Sequence, residues 1–139
     1  MTEIHSDLIK AYQSTEFRVL EPKLFTLRIG IHSAELEALY SDLNVTSAGF
    51  LTAWNPFGVE TSNVENQEAQ LELVRTLSHD GFLTLNAFGV DPMGVWPGED
   101  SVFIPGVEFD RAKAIGTKFG QNAIVWAGIN AVPQLVLLR

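Results

Sequence analysis

Three observations predict an α+β domain whose sheet is covered by helices. Apolar residues recur at helical spacing in four separate segments, short strand-like runs lie between them, and adjacent strand pairs stand beside helix crossovers. The order reads helix, strand, helix, strand, helix, strand, strand, helix, strand, strand. That order predicts a mixed sheet, with a three-layer α/β sandwich as the alternative. The 139 residues form one domain, residues 1–139, long enough to bury a core without covalent staples.

Each element has its own warrant. Ser6 opens a short helix carrying Leu8, Ile9 and Tyr12. Residues 24–31 alternate as a strand with one wet face. Ser33 suits an N-cap, with Glu35 and Glu37 in the positive first turn and Leu36, Leu39, Tyr40 and Leu43 as the buried stripe. Residues 49–54 read as a strand that Asn55-Pro56 stops, because the residue before proline is driven extended and proline cannot donate to a ladder. A helix should start near Ser62 or Asn63, run to about His79 on a stripe of Leu71, Val74 and Leu77, and end at Gly81. Residues 82–88 form the next strand. A Pro/Gly-rich loop spans Asp91 to Gly98, and Ser101 to Ile104 make a short strand ended by Pro105-Gly106. Asp110 caps a helix with Ala112, Ile115 and Phe119 inward and Gly120 at its end. Ala123 to Ala127 and Leu135 to Leu138 close the chain as a hairpin.

Composition excludes several classes of function. The chain has no cysteine, so disulfides, thiol catalysis and cysteine-type zinc sites are out. No apolar run reaches the length of a membrane span, and the first residues lack the basic flank and apolar stretch of a signal peptide. The expected location is the cytoplasm. Net charge is −8, and residues 29–110 carry thirteen carboxylates against the single basic Arg75. That field disfavours nonspecific nucleic-acid binding. It serves solubility, or it presents a surface to a basic protein partner.

Motif chemistry is sparse. There is no nucleophile elbow, no phosphate-binding glycine loop and no dinucleotide fingerprint. His5, His32 and His79 stand far apart without ligand spacing, so neither a metal nor a cofactor is called for. What stands out is a set of amides and tryptophans at the ends of elements. Trp54 and Asn55 sit where a strand leaves the sheet. Asn63, Asn66, Gln67 and Gln70 share one side of the following helix. Trp96 and Glu99 lie in the long loop before Ser101, and Gln121 and Asn122 enter the strand that holds Trp126. Amides donate and accept, so several of them beside an indole can read a flat, neutral, hydrogen-bonding ligand. A plainer account competes with this one. Asn55 suits a turn, Asn63 suits an N-cap, and Trp54 and Trp126 suit the core. Glu99 is the best acid/base candidate, since a loop carboxylate beside Trp96 would have a raised pKa.

Three stretches carry a family resemblance. They are Phe50-Leu51-Thr52-Ala53-Trp54-Asn55-Pro56, then Asn66 on a helix, then Phe119-Gly120-Gln121-Asn122-Ala123-Ile124-Val125-Trp126. In that order they resemble domain of unknown function 3293, a family of small bacterial and phage proteins, over roughly residues 11–128. Trp96, Glu99 and Ser101 resemble its middle motif. The chain departs from the family pattern at Phe57-Gly58, where a small polar residue is usual, and at Asp100, where proline is usual. The resemblance implies a fold-sized unit and motif positions, and no reaction.

The reading that follows is a binding domain for a small polar or nucleotide-like ligand. Asn55 and Asn66 orient the ligand, Trp54 or Trp96 stacks on it, and Gln121 with Asn122 closes the site. Asn55→Ala and Asn66→Ala are both expected to abolish binding with little loss of stability. An inhibitor-like protein that binds a basic partner is the alternative. A small hydrolase or transferase using Glu99 comes third, because no nucleophile–base pair is legible.

Overall fold

The computed structural model describes residues 4, 6–94 and 98–139. The elements are α1 (Ser6–Ser14), β1 (Glu16–Val19), β2 (Phe25–Leu27), α2 (Ala34–Leu43), β3 (Ala48–Leu51), α3 (Asn63–His79), β4 (Leu85–Val90), β5 (Glu99–Pro105), α4 (Phe109–Lys118), β6 (Ala123–Ala127) and β7 (Gln134–Leu137), with a 3-10 turn at Pro56–Gly58. The seven strands form one sheet in the order β2-β1-β4-β5-β3-β6-β7. The α+β class holds. Every ladder is antiparallel, whereas a mixed sheet was expected. The crossovers through α2, α3 and α4 carry the chain to strands whose neighbours all run the opposite way.

Alternation along the strands sorts the side chains into two cores. On one face Leu36, Leu39 and Tyr40 of α2 pack with Phe17, Val19, Phe50, Phe103 and Val125. On the other, Leu73 and Leu77 of α3 and Ala112 and Ile115 of α4 pack with Leu51, Val102, Ile104 and Ile124. Burying each such leucine contributes roughly 2 kcal/mol. Gly116 lets α4 approach β6 closely, because a Cβ there would lie 2.6 Å from Ile124 Cγ2 and 2.7 Å from Leu138 Cδ1.

Local chemistry sets the helix ends. Ser33 Oγ accepts from Leu36 N–H, and Asn44 closes α2 in the left-handed region at φ 55°, which asparagine tolerates better than most residues. Tyr40 anchors α2 to the sheet by donating its hydroxyl to the Ala127 and Gly128 carbonyls at 3.1 and 2.9 Å. Burial pushes its pKa up to about 12.

Several boundaries differ from expectation. The run at 24–31 is a strand only over Phe25–Leu27, because Ile31 N–H turns back to the Arg28 carbonyl and Gly30 has φ 81°. The strand β1 was not anticipated. Its Glu16 carboxylate accepts from Arg18 and Arg28 at 2.9 and 3.0 Å, and those bonds hold the carboxyl below its usual range. In α4 the cap position belongs to Glu108, with no side-chain bond, and Asp110 falls in the first turn. In α3 the buried residues are Asn66, Leu73 and Leu77, while Leu71 is exposed.

Candidate functional site

The face of the sheet that packs on α2 continues past that helix, and there α1 forms the roof of a cavity of about 290 Å³. The floor is built from same-face positions of neighbouring strands: Phe17 on β1, Gly89 on β4, Glu99 and Ser101 on β5, Phe50 on β3, Val125 on β6 and Leu135 on β7. Leu8, Ala11, Tyr12 and Thr15 face it from above, although no residue of α1 is itself buried. Gly89 pairs with Phe17 on one side and Glu99 on the other. A Cβ on Gly89 would meet nothing within 4 Å, so its missing side chain is part of the space.

One wall is the turn that leaves β3. Asn55 adopts a left-handed conformation at φ 45°, held by a closed set of amide bonds. Its Oδ1 accepts from Thr61 N–H at 3.0 Å and from Asn66 Nδ2 at 2.8 Å, while its own N–H donates to Asn66 Oδ1 at 2.8 Å. Asn66 also donates to the Thr61 carbonyl at 3.2 Å. With two donors on one oxygen, the Asn55 amide orientation is fixed, and its NH2 has no partner among the described residues. Asn66 is only 1% exposed and does not line the cavity. It holds Asn55 rather than reaching a ligand, so the two asparagines have different roles. Ser62 caps α3 by accepting from Glu65 N–H, and its hydroxyl donates to the Glu65 carboxylate. Asn63 is therefore the first helical residue, exposed and away from the cavity. Gln70 accepts from Ala53 N–H at 3.0 Å.

The adjoining wall comes from the start of β6. Phe57 N–H donates to the Gly120 carbonyl at 2.7 Å, and Gln121 Nε2 donates to the Trp54 and Phe119 carbonyls at 3.3 Å each. These bonds tie the two sequence motifs into one structure, with Trp54, Asn55, Gln121 and Asn122 all lining the cavity. Asn122 Oδ1 accepts from Arg139 Nη1 at 2.6 Å, and the Arg139 guanidinium lies 4.9 Å from the centre of the Phe57 ring. The Asn122 amide also reaches the Tyr12 hydroxyl, whose pKa burial raises. Trp126 faces the other core and donates its indole N–H to the Val107 carbonyl at 2.9 Å.

Glu99 opens β5 rather than sitting in a loop, and its strand register aims it at the cavity. Burial pushes its carboxyl up to about 7. Among the described residues no hydrogen bond or ion pair reaches that carboxylate. The Ser101 hydroxyl donates to the Glu99 carbonyl at 3.2 Å, and the Thr52 hydroxyl donates to the Asp100 carbonyl at 2.6 Å. Trp96 lies outside the described residues. The cavity thus gathers Trp54, Asn55, Glu99, Ser101, Gln121 and Asn122, and leaves out Asn63 and Asn66. Sequence reasoning missed Tyr12 as a wall, Gly89 and Arg139. Tyr12 was visible only as part of a helical stripe, and the other two carry no local signal.

A more open hollow of about 530 Å³ lies between α3 and α4. Its charges are largely paired, Arg75 with Glu72 and Arg111 with Asp80. No group of His, Asp or Glu among the described residues is arranged to hold a metal ion. No helix among them is long and apolar enough to cross a membrane.

A family model, Protein of unknown function (DUF3293), matches residues 51–124. That span contains both ends of the amide wall and the Glu99–Ser101 segment. No curated protein and no solved structure matches the chain.

Proposed function

We propose that this chain, which belongs to the DUF3293 family of proteins of unknown function, binds a small, flat, polar ligand in the cavity beneath α1. One observation carries the reading: three amides, an indole, several hydroxyls and a carboxyl from separate parts of the chain converge on a space of about 290 Å³ with Phe17 and Phe50 in its floor. Ligand sites have this composition, an apolar surface with a few placed polar groups. The size suits a ligand of nucleobase scale. Asn55 supplies donors, Gln121 Oε1 and Glu99 supply acceptors, and Glu99 is the residue placed to exchange a proton with the bound molecule.

The test is mass spectrometry of the purified protein under native and denaturing conditions, combined with thermal shift on adding adenine, guanine, cytosine or uracil. The expected result is an extra mass lost on denaturation, or stabilisation by a base, either of which disappears in Gly89→Leu. A clean mass together with no stabilisation by any of the four would overturn the reading.

A further inference from the structure

The polar groups on the cavity wall are unevenly spent. Asn55 Oδ1 is occupied by Thr61 and Asn66, and Asn122 Oδ1 by Arg139. The Thr52 hydroxyl donates to Asp100 and accepts from Trp54 N–H, and the Ser101 hydroxyl donates to a carbonyl. Among the described lining residues Glu99 is the one that carries a carboxyl, and neither of its oxygens has a donor among the described residues. It rises from β5 opposite Gly89, where no side chain covers it. On the same cavity floor Phe17 and Phe50 meet edge to face with ring centres 5.1 Å apart. The nearby guanidinium, Arg139, is committed to Asn122 and the Phe57 ring.

We infer that the ligand presents an amidine-type edge to Glu99, N–H groups on two nitrogens of one carbon as in an amidinium, a guanidinium or a ring-protonated 2-aminopyrimidine. This rests on the binding reading above and names the chemistry of that ligand. A carboxylate matches such an edge with two parallel N–H···O bonds, the strong bidentate geometry. It also resolves the electrostatic problem of a buried carboxylate without a donor, because desolvated charge is stable only when paired. The flat group behind the edge lies against Phe17 and Phe50. The space holds about ten water-sized units, enough for a ring carrying one amidine.

Benzamidine is the probe, with benzamide and benzoate as shape-matched controls that lack the donor pair. Among the described residues the titratable and charged groups facing Glu99 are Tyr12 from α1 and, across Asn122, Arg139. Burial pushes the Tyr12 hydroxyl above the ordinary tyrosine range and Arg139 stays charged, so of these groups Glu99 alone changes charge between pH 6 and 8. Protein-observed NMR titration should show benzamidine binding at pH 8 and about tenfold weaker binding at pH 6, as expected for a site that must be ionised to pair. Glu99→Gln should lose benzamidine while keeping the circular dichroism spectrum of the parent. Benzamide or benzoate binding as well as benzamidine, and being lost in Gly89→Leu, would overturn the amidine edge and leave the binding reading standing. Benzamidine binding that survives Glu99→Gln, or its failure to bind at pH 8, would overturn the inference too.

Discussion

Replacing Asn66 with alanine removes three hydrogen bonds at a position 1% exposed to solvent. The Asn55 N–H and the Thr61 carbonyl lose a buried partner, while Asn55 Oδ1 keeps Thr61 N–H. The bond to Asn55 Oδ1 is worth about 1 kcal/mol net, and stranding each of the other two groups, both in half-buried residues, costs about 1–2 kcal/mol. The sum is about 3–5 kcal/mol, a large share of the roughly 5–15 kcal/mol that holds a domain together. For a chain of this size it corresponds to a fall in Tm on the order of 10–20 °C. Urea denaturation followed by circular dichroism measures it directly, with Asn63→Ala as the comparator. Asn63 lies three residues earlier on the same helix, exposed, and its replacement should change stability by no more than about 0.5 kcal/mol. If the two variants unfold within 1 kcal/mol of each other, Asn66 is not the clamp on the Asn55 turn and the account of that wall is wrong.

Three further outcomes follow from the same structure. Glu99 gives up its proton near 7 in the fold against an ordinary 4.5, so the unfolded chain ionises first. Stability should fall by about 3 kcal/mol as pH rises from 4.5 to 7 and level off above that, and urea midpoints of Glu99→Gln should lack that part of the slope. Tyr40→Phe strips the hydroxyl from the Ala127 and Gly128 carbonyls; a loss of about 1–2 kcal/mol is expected, and an unchanged midpoint would deny Tyr40 its anchoring role. Gly116→Ala drives a methyl against Ile124 and Leu138; thermal unfolding should register a cost of about 1–3 kcal/mol despite alanine's better helix propensity, and a gain in Tm would show that α4 can back away from β6.

What the sequence disclosed, and what it withheld, separates along physical lines. The ends of α3 were legible because Ser62 and Gly81 are local signals, a cap and a left-handed stop. Its buried face was not. A hydrophobicity pattern does not place an asparagine inside, so it slides to Leu71, which the structure leaves 56% exposed, and passes over the face formed by Asn66, Leu73 and Leu77. The strand β1 escaped notice because Glu-Phe-Arg-Val alternates over only four residues, too few for periodicity to register. The two amide walls were visible as residue types at the ends of elements. Their other sides were not, because Tyr12 and Arg139 arrive from opposite ends of the chain, and Gly89 contributes by having no side chain at all.

The roof of the cavity has an energetic consequence of its own. A nine-residue helix is too short to persist in water unaided, and α1 sinks none of its side chains into either core. Its order depends on the apolar face it shares with whatever lies between it and the sheet. A molecule held there acts as a missing layer of hydrophobic core, and its measured affinity includes the free energy of holding the helix in place. Two molecules with the same contacts to the sheet would then differ in affinity by what they offer Leu8, Ala11 and Tyr12. Amide exchange along residues 6–14 would report occupancy even for a ligand that shifts no strand.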